Sequence, residues 1–524
     1  MQTDTVFFES FSRKSTAIRF IVAMMIFFVL TSIFGCRNPA ESSAEVSSKD
    51  GIRSGGEVIV GITQEPSLFD PHTVVAAGDE EILFNIFEGL VKCTSDGQFV
   101  PALATDYTIS EDATTYIFNI RTGVKFHNGD TLTPEDVVFS LKRASGLLTG
   151  TALKPDLAGI KDVRISGENE VTVEFISPDA EMIPFFTTAI IPESVSDIGS
   201  TPIGTGPFVF LEYRVGESVV LGKNNAYWQE GLPYLDKVTF KITAGMDAAF
   251  LELQSGSIDI FPYLTADKAE QIKDRYQILS GNTNMVQVLA LNNAAEPFNN
   301  PLVRQAVNYA IDRQDLSNLI MEGQSTLLTT GMSPAMGDYY DATVDGTITY
   351  NPDKAKALLE EAGYPDGFRS TIKVPSNYQI HVDTAIVLAD QLARVGIMVD
   401  IVSVDWATWL SDVYQGRNYD STVIALTSEY TPRDVLSRYV STSEGNFINY
   451  VNSDFDSIYS QIQSEISLDE RIALYKQLQQ LLVSDYASVY LQDPKNIVAV
   501  KNEIKGYLVY PIYVQDMSTV YFAE

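Results

Sequence analysis

Cysteine, histidine, tryptophan and positive charge are all scarce in this chain. Its 524 residues include 2 cysteines, 3 histidines and 3 tryptophans, and 36 Lys and Arg stand against 68 Asp and Glu. Two cysteines, Cys36 and Cys93, allow one disulfide at most, so no disulfide framework holds the fold. His72, His127 and His381 are isolated, with no His-Glu-x-x-His and no Cys/His ligand spacing, so no metal site is expected. There is no Gly-x-Ser-x-Gly elbow, and no catalytic residues or cofactor are assigned. The net charge of −32, spread along the chain, argues against nucleic acid, whose phosphates need clustered Lys and Arg. Acidity distributed in this way reads as a solvated surface. Long apolar runs are missing outside one place, Phe20 to Phe34, which is too short to span a bilayer comfortably.

What is present begins with that run. Arg13, Lys14 and Arg19 precede it and Ser32-Ile33-Phe34-Gly35-Cys36 closes it, as in a signal peptide over residues 1–36. The closing residues resemble a bacterial lipobox, although Phe34 stands where a small residue is usual. The resemblance implies a lipidated Cys36; the alternative is an ordinary signal peptide cleaved nearby. Cys93 is then a lone, packed thiol. Residues 37–56 are rich in Ser, Gly and charge and read as a flexible tether. Hydrophobic residues make up 45% of the chain, enough for buried cores in several lobes.

The most informative stretch is residues 97–143. Tyr116, Phe118 and Ile120 fall on one face of an alternating strand. Val124-Lys125-Phe126 resumes the alternation, Asn128-Gly129 suits a tight turn, and Thr133-Pro134-Glu135-Asp136 opens a helix carrying Val137, Val138 and Leu141. Further on, Glu81–Leu90 has helical spacing. Phe250–Ser255 reads as a helix stopped at Gly256. Asn300-Pro301 opens a helix with Val303, Ala306, Val307, Ala310 and Ile311 on one stripe. Arg304, Asn308, Asp312 and Arg313 lie off that stripe and read as capping and stapling charges. Helices from Asn351-Pro352, over Thr384–Val395 and over Glu470–Val483, a strand over Ile397–Val404 and β-patterned residues 497–520 complete the reading.

These segments carry a resemblance. Tyr-x-Phe-x-Ile-Arg-x-Gly-Val-Lys-Phe-His-Asn-Gly-Asp-x-Leu-Thr-x-Glu-Asp-Val-x-Phe-Ser, at 116–140, and Arg-Gln-Ala-Val-Asn-Tyr-Ala-Ile-Asp-Arg, at 304–313, are similar to the signatures of solute-binding protein family 5, the dipeptide/oligopeptide-binding lipoproteins of ABC importers. The resemblance implies an α/β fold of the periplasmic-binding-protein type (class II, cluster C), with two α/β lobes around a ligand cleft and an additional small lobe. It places lobe I in 57–87, 200–288 and 488–524, small lobe II in 88–199 and lobe III in 289–487. It implies a monomer, exported, lipid-anchored to the membrane face toward periplasm or exterior, that captures a di- or oligopeptide and delivers it to an ABC permease. An oligosaccharide or a metal chelate is the alternative ligand, and an exported hydrolase a third reading.

The site expected from the resemblance lies in two loops. Glu65 and Pro66 belong to a Thr-x-Glu-Pro loop at the lobe interface. Trp406 follows a strand and faces the cleft. Leu426-Thr427-Ser428-Glu429-Tyr430-Thr431-Pro432 matches the segment in which peptide binders place an Asp against the ligand ammonium. With a one-residue deletion Glu429 takes that place; without it Ser428 does. Tyr430, Thr431 and Arg433 complete the expected set. A carboxylate is needed there because a desolvated ammonium requires a counter-charge.

Overall fold

A computed structural model of the chain describes residues 51–66, 69–74, 77–427 and 431–524. The signal peptide, Cys36, most of the tether, Ser428, Glu429 and Tyr430 lie outside the described residues.

One long strand organises the molecule. Val489–Lys501 runs through a twelve-stranded sheet and pairs with strands on both sides of it. Its first half lies against Met285–Leu291 and Ser325–Leu327, and its second half against Tyr276–Asn282 and Ile260–Phe261. On one side the sheet continues through Glu57–Ile62, Lys237–Ile242, Ser218–Lys223 and Phe208–Arg214. Val58 and Val60 are fully buried there with Ile82, Phe208, Leu221, Phe240 and Val498. On the other side come Ser421–Thr427, Phe368–Pro375 and Ile397–Val404. The helices Pro301–Ala310, Pro352–Glu361 and Gln379–Ala393 pack on that half.

The small lobe is a separate four-stranded antiparallel sheet in the order Ala104–Ile109, Thr115–Ile120, Glu170–Phe175, Ile160–Gly167. Tyr116, Phe118 and Ile120 are buried as their alternation requires, and each large side chain removed from water contributes about 1.5–3 kcal/mol. Helix Pro134–Ala144 covers this sheet with Val137, Leu141 and Ala144. Thr133 accepts from the Asp136 amide while Asp136 accepts from the Thr133 amide, a reciprocal cap. Asn300 caps Pro301–Ala310 by accepting from Leu302, and Gly256 ends Met246–Ser255 in a left-handed conformation.

Four expectations are corrected. The helix read over Glu81–Leu90 spans Ala77–Leu83. It stops because the Asn85 amide turns to the Gln515 carbonyl at 2.8 Å, and Gly89 lies so close to the Phe186 and Thr187 backbone that no side chain fits. The strand after Gly123 reduces to a bridge between Lys125 and Thr131 around the Asn128-Gly129 turn. Arg304, Asn308 and Arg313, read as capping and stapling charges of their own helix, are buried and reach beyond it. Arg304 donates to the carbonyls of Phe298, Asp485 and Tyr486, and Arg313 to that of Tyr490, tying their helices to a chain segment about 180 residues away. Between Lys505 and Tyr521 the tail is irregular rather than strand, because Gly506 and Pro511 interrupt it, yet Tyr507, Tyr510, Met517 and Val520 are buried.

Candidate ligand-binding site

The loop after the first strand is held by an ion pair. Arg143 contacts both oxygens of Asp70, at 3.1 and 2.5 Å. Although burial alone would raise it, this two-point contact holds the Asp70 carboxyl below the usual carboxylate range. His72 is fixed against the Ala189 carbonyl at 2.8 Å, and burial lowers its pKa to about 4, so its ring is neutral. Pro71 and Val74 on this loop then face a cavity of about 350 Å³.

Three more segments complete the wall. Helix Ala77–Leu83 and the turn after it supply Glu80, Leu83, Phe84 and Phe87. The small lobe supplies Lys154, Asp156 and Phe185, and the C-terminal segment supplies Ile512–Val514. The close approach at Gly89 brings the first two together. Aromatic walls with a few fixed polar groups suit a small polar ligand that carries apolar side chains.

Most charges around the cavity are already engaged. Glu88 receives hydrogen bonds from Thr205, Tyr227 and Trp228, at 2.8 to 2.9 Å, and burial raises its pKa. Lys92 pairs with Asp516 at 3.1 Å and lies over the Phe84 ring. Among the described residues the Lys154 ammonium makes one hydrogen bond, to the Val74 carbonyl at 3.2 Å.

The expected site residues separate into groups. Arg433 is at the edge of the cavity. It pairs with Asp179 of the small lobe at 2.6 Å and lies 5.0 Å over the ring of Phe185, which lines the cavity. Burial works against its charge, but Asp179 outweighs that and raises its pKa. Thr431 beside it is buried and donates to Asp434 from its amide and its hydroxyl. Trp406 is not on the cavity wall. It is 37% exposed and stacks on Trp409 at 5.1 Å, with Tyr378 edge-on at 5.5 Å. Glu65 is exposed and accepts from Tyr213 and Gly216, and the Pro66 carbonyl accepts from the same Tyr213 hydroxyl, so both brace the loop on a hairpin. Trp409, Tyr419, Tyr439, Phe447 and Tyr450, which enrich residues 404–450 in aromatics, are buried in a core. Phe84, Phe185, Lys154 and Asp156 were not singled out from sequence. The only signal for Lys154 and Asp156 is Lys-Pro-Asp in the connection between helix Pro134–Ala144 and strand Ile160–Gly167.

Beyond Arg433 the small lobe is fastened to the third. Tyr475 donates to both oxygens of Glu181, at 2.8 and 2.9 Å, and the Ala180 amide donates to the Gln463 carbonyl. Among the described residues no helix is long and apolar enough to cross a membrane, and no group of three acidic, His or Cys side chains could hold a metal ion.

Two α/β halves sharing a strand, an additional small lobe and a cavity between lobes define a binding protein that encloses a small solute. The chain belongs to the bacterial extracellular solute-binding proteins of family 5, whose model (described as the family's middle region) matches residues 98–447. It is 26% identical to the oligopeptide-binding protein AppA of Bacillus subtilis, over 95% of this chain and 97% of that protein. It is 28% identical to heme-binding protein A of Haemophilus influenzae, over 78% and 82%. Helicobacter pylori DppA, solved with the peptide STSA, superposes with a TM-score of 0.71 at 25% identity, covering 90% of this chain and 99% of that one. The chain is thus a solute-binding component of an ABC transporter.

Proposed function

We propose that this protein captures a short peptide between its lobes and presents it to an ABC permease. The observation that carries this reading is the cavity itself: aromatic and apolar walls for side chains, with only a few charges left over. Relatives named for oligopeptide and glutathione binding, and the peptide-bound DppA structure, support the same class. In this reading lobe I comprises 57–87, 200–288 and 488–524, lobe II 88–199 and lobe III 289–487. Glu429 takes the ligand ammonium, Tyr430, Thr431 and Arg433 form the loop beside it, and Trp406 meets the ligand when the lobes close. Glu65 and Pro66 set the entrance loop. The chain acts as a monomer, exported and held at the membrane face by a lipid on Cys36.

Native mass spectrometry of the purified protein tests the ligand class. A retained mass that fragments as a peptide is expected; a haem, sugar or metal-chelate mass overturns the peptide reading. Glu429→Ala should weaken binding of a retained peptide more than tenfold, since an ammonium loses a partner contributing about 2 kcal/mol. Unchanged affinity by calorimetry removes Glu429 as the anchor.

A further inference from the structure

Five acidic or basic side chains line the cavity: Glu80, Glu88, Lys92, Lys154 and Asp156. Their partners decide what each can offer a ligand. Glu88 is enclosed by three donors. Lys92 is neutralised by Asp516. Of the two cations, only Lys154 makes no contact ion pair among the described residues, Asp156 acting on it from a greater distance; its ammonium uses one of three donors, on the Val74 carbonyl. Lys154 is half-buried, at the mouth of the short turn Pro155–Leu157.

From this charge distribution we infer that Lys154 is the counter-ion for a carboxylate of the bound solute. The inference rests on the peptide reading above and narrows it to ligands with a free carboxylate. A carboxylate entering an aromatic-walled cavity loses water and requires a counter-charge there. It also approaches a chain of net charge −32, whose overall field repels it. Lys92 cannot serve without releasing Asp516, a buried carboxylate. The charge of Arg433 is already balanced by Asp179. Lys154 serves at no such cost, since its carbonyl contact leaves two N–H groups to donate.

Asp156 limits the same wall. More than a third of its surface meets solvent, yet surrounding protein desolvates its carboxyl and Asp434 adds like charge, which outweighs the lowering effects of Arg433 and Lys154, so its pKa is raised. Where it is ionised, Asp156 opposes a second anionic group on the ligand, so one carboxylate is preferred to two.

A mixture of Ala-Xaa-Ala tripeptides, half as free acids and half as C-terminal amides, supplies the test. The folded protein is incubated with it, separated from unbound peptide and read by mass spectrometry. Wild type should retain acids over amides by at least tenfold. Lys154→Met should reduce that preference to under twofold, and Lys154→Arg should restore it. Equal retention of acids and amides by wild type, or an undiminished preference in Lys154→Met, overturns the Lys154 assignment and leaves the peptide reading standing. Retention of neither form by folded wild type overturns the peptide reading and this inference with it. The acid-to-amide comparison on wild type needs no variant, and a melting curve identifies a variant that has not folded.

Discussion

Glu181 is a carboxyl group buried where the small lobe meets the third. Burial raises its pKa from 4.5 to about 7, against the lowering effects of Tyr475, Arg433 and Arg471; nearby Asp179 raises it further. A carboxyl raised in the folded state contributes its full stability below its unfolded pKa and loses it as pH rises through the folded one. The loss therefore runs from about pH 4.5 to beyond pH 7, and a shift of this size corresponds to something on the order of 3 kcal/mol. Glu181→Gln retains an oxygen for Tyr475 without the charge. Its urea midpoint should vary less than that of wild type between pH 5 and pH 8, and should exceed wild type at pH 8. Identical pH profiles would show that Glu181 does not titrate with folding. Some slope should remain, because Glu81, bonded to Tyr263, is also raised to about 7 by burial. Neither residue was distinguishable in the sequence, since 68 acids look alike until burial separates them.

Elements governed by neighbouring residues were legible; elements governed by distant ones were not. The Thr133–Asp136 cap, the Asn300 cap, the Gly256 stop and the Tyr116 face all follow from side chains a few positions apart. The helix before Gly89 was misplaced because its end is set by Gln515 and Phe186, far away in sequence. Arg304 and Arg313 were misread for the same reason. The cavity was least legible, since it is assembled from five stretches of chain between Pro71 and Val514. Gly89 is where two of those segments touch. A Cβ there would meet the Phe186 carbonyl oxygen at 2.4 Å and the Thr187 carbonyl carbon at 2.5 Å, both backbone atoms that cannot swing aside. Gly89→Ala should therefore destabilise by about 3 kcal/mol or more, at the upper end of overpacking effects. A thermal midpoint within a degree or two of wild type would show that this junction can yield. Thr133→Ala, which removes only a cap, should cost about 1 kcal/mol by the same measurement.

At the scale of the whole molecule, the two halves of the large sheet are joined where pairing along Val489–Lys501 passes from Met285–Leu291 to Tyr276–Asn282. Asp493 lies at that crossing and is fully buried. One of its oxygens accepts from the Thr283 amide at 3.2 Å, the Thr283 hydroxyl at 2.8 Å and the Met285 amide at 3.4 Å. The other accepts from the Ser333 hydroxyl. The carboxylate thus holds the connection between the lobes against the shared strand, and any hinge motion must turn about this point or strain it. Removing it leaves buried donors without an acceptor, each costing about 1–3 kcal/mol. Asp493→Ala should lower the unfolding free energy by several kcal/mol. Asp493→Asn should be mild, because its oxygen can take the Thr283 side while its amide donates to Ser333, whose hydroxyl can rotate to accept. Ser333→Ala by itself removes that second contact, so combining it with Asp493→Asn should cost less than the two single changes together. Strict additivity in this cycle, measured by urea denaturation, would mean that Asp493 and Ser333 are not coupled.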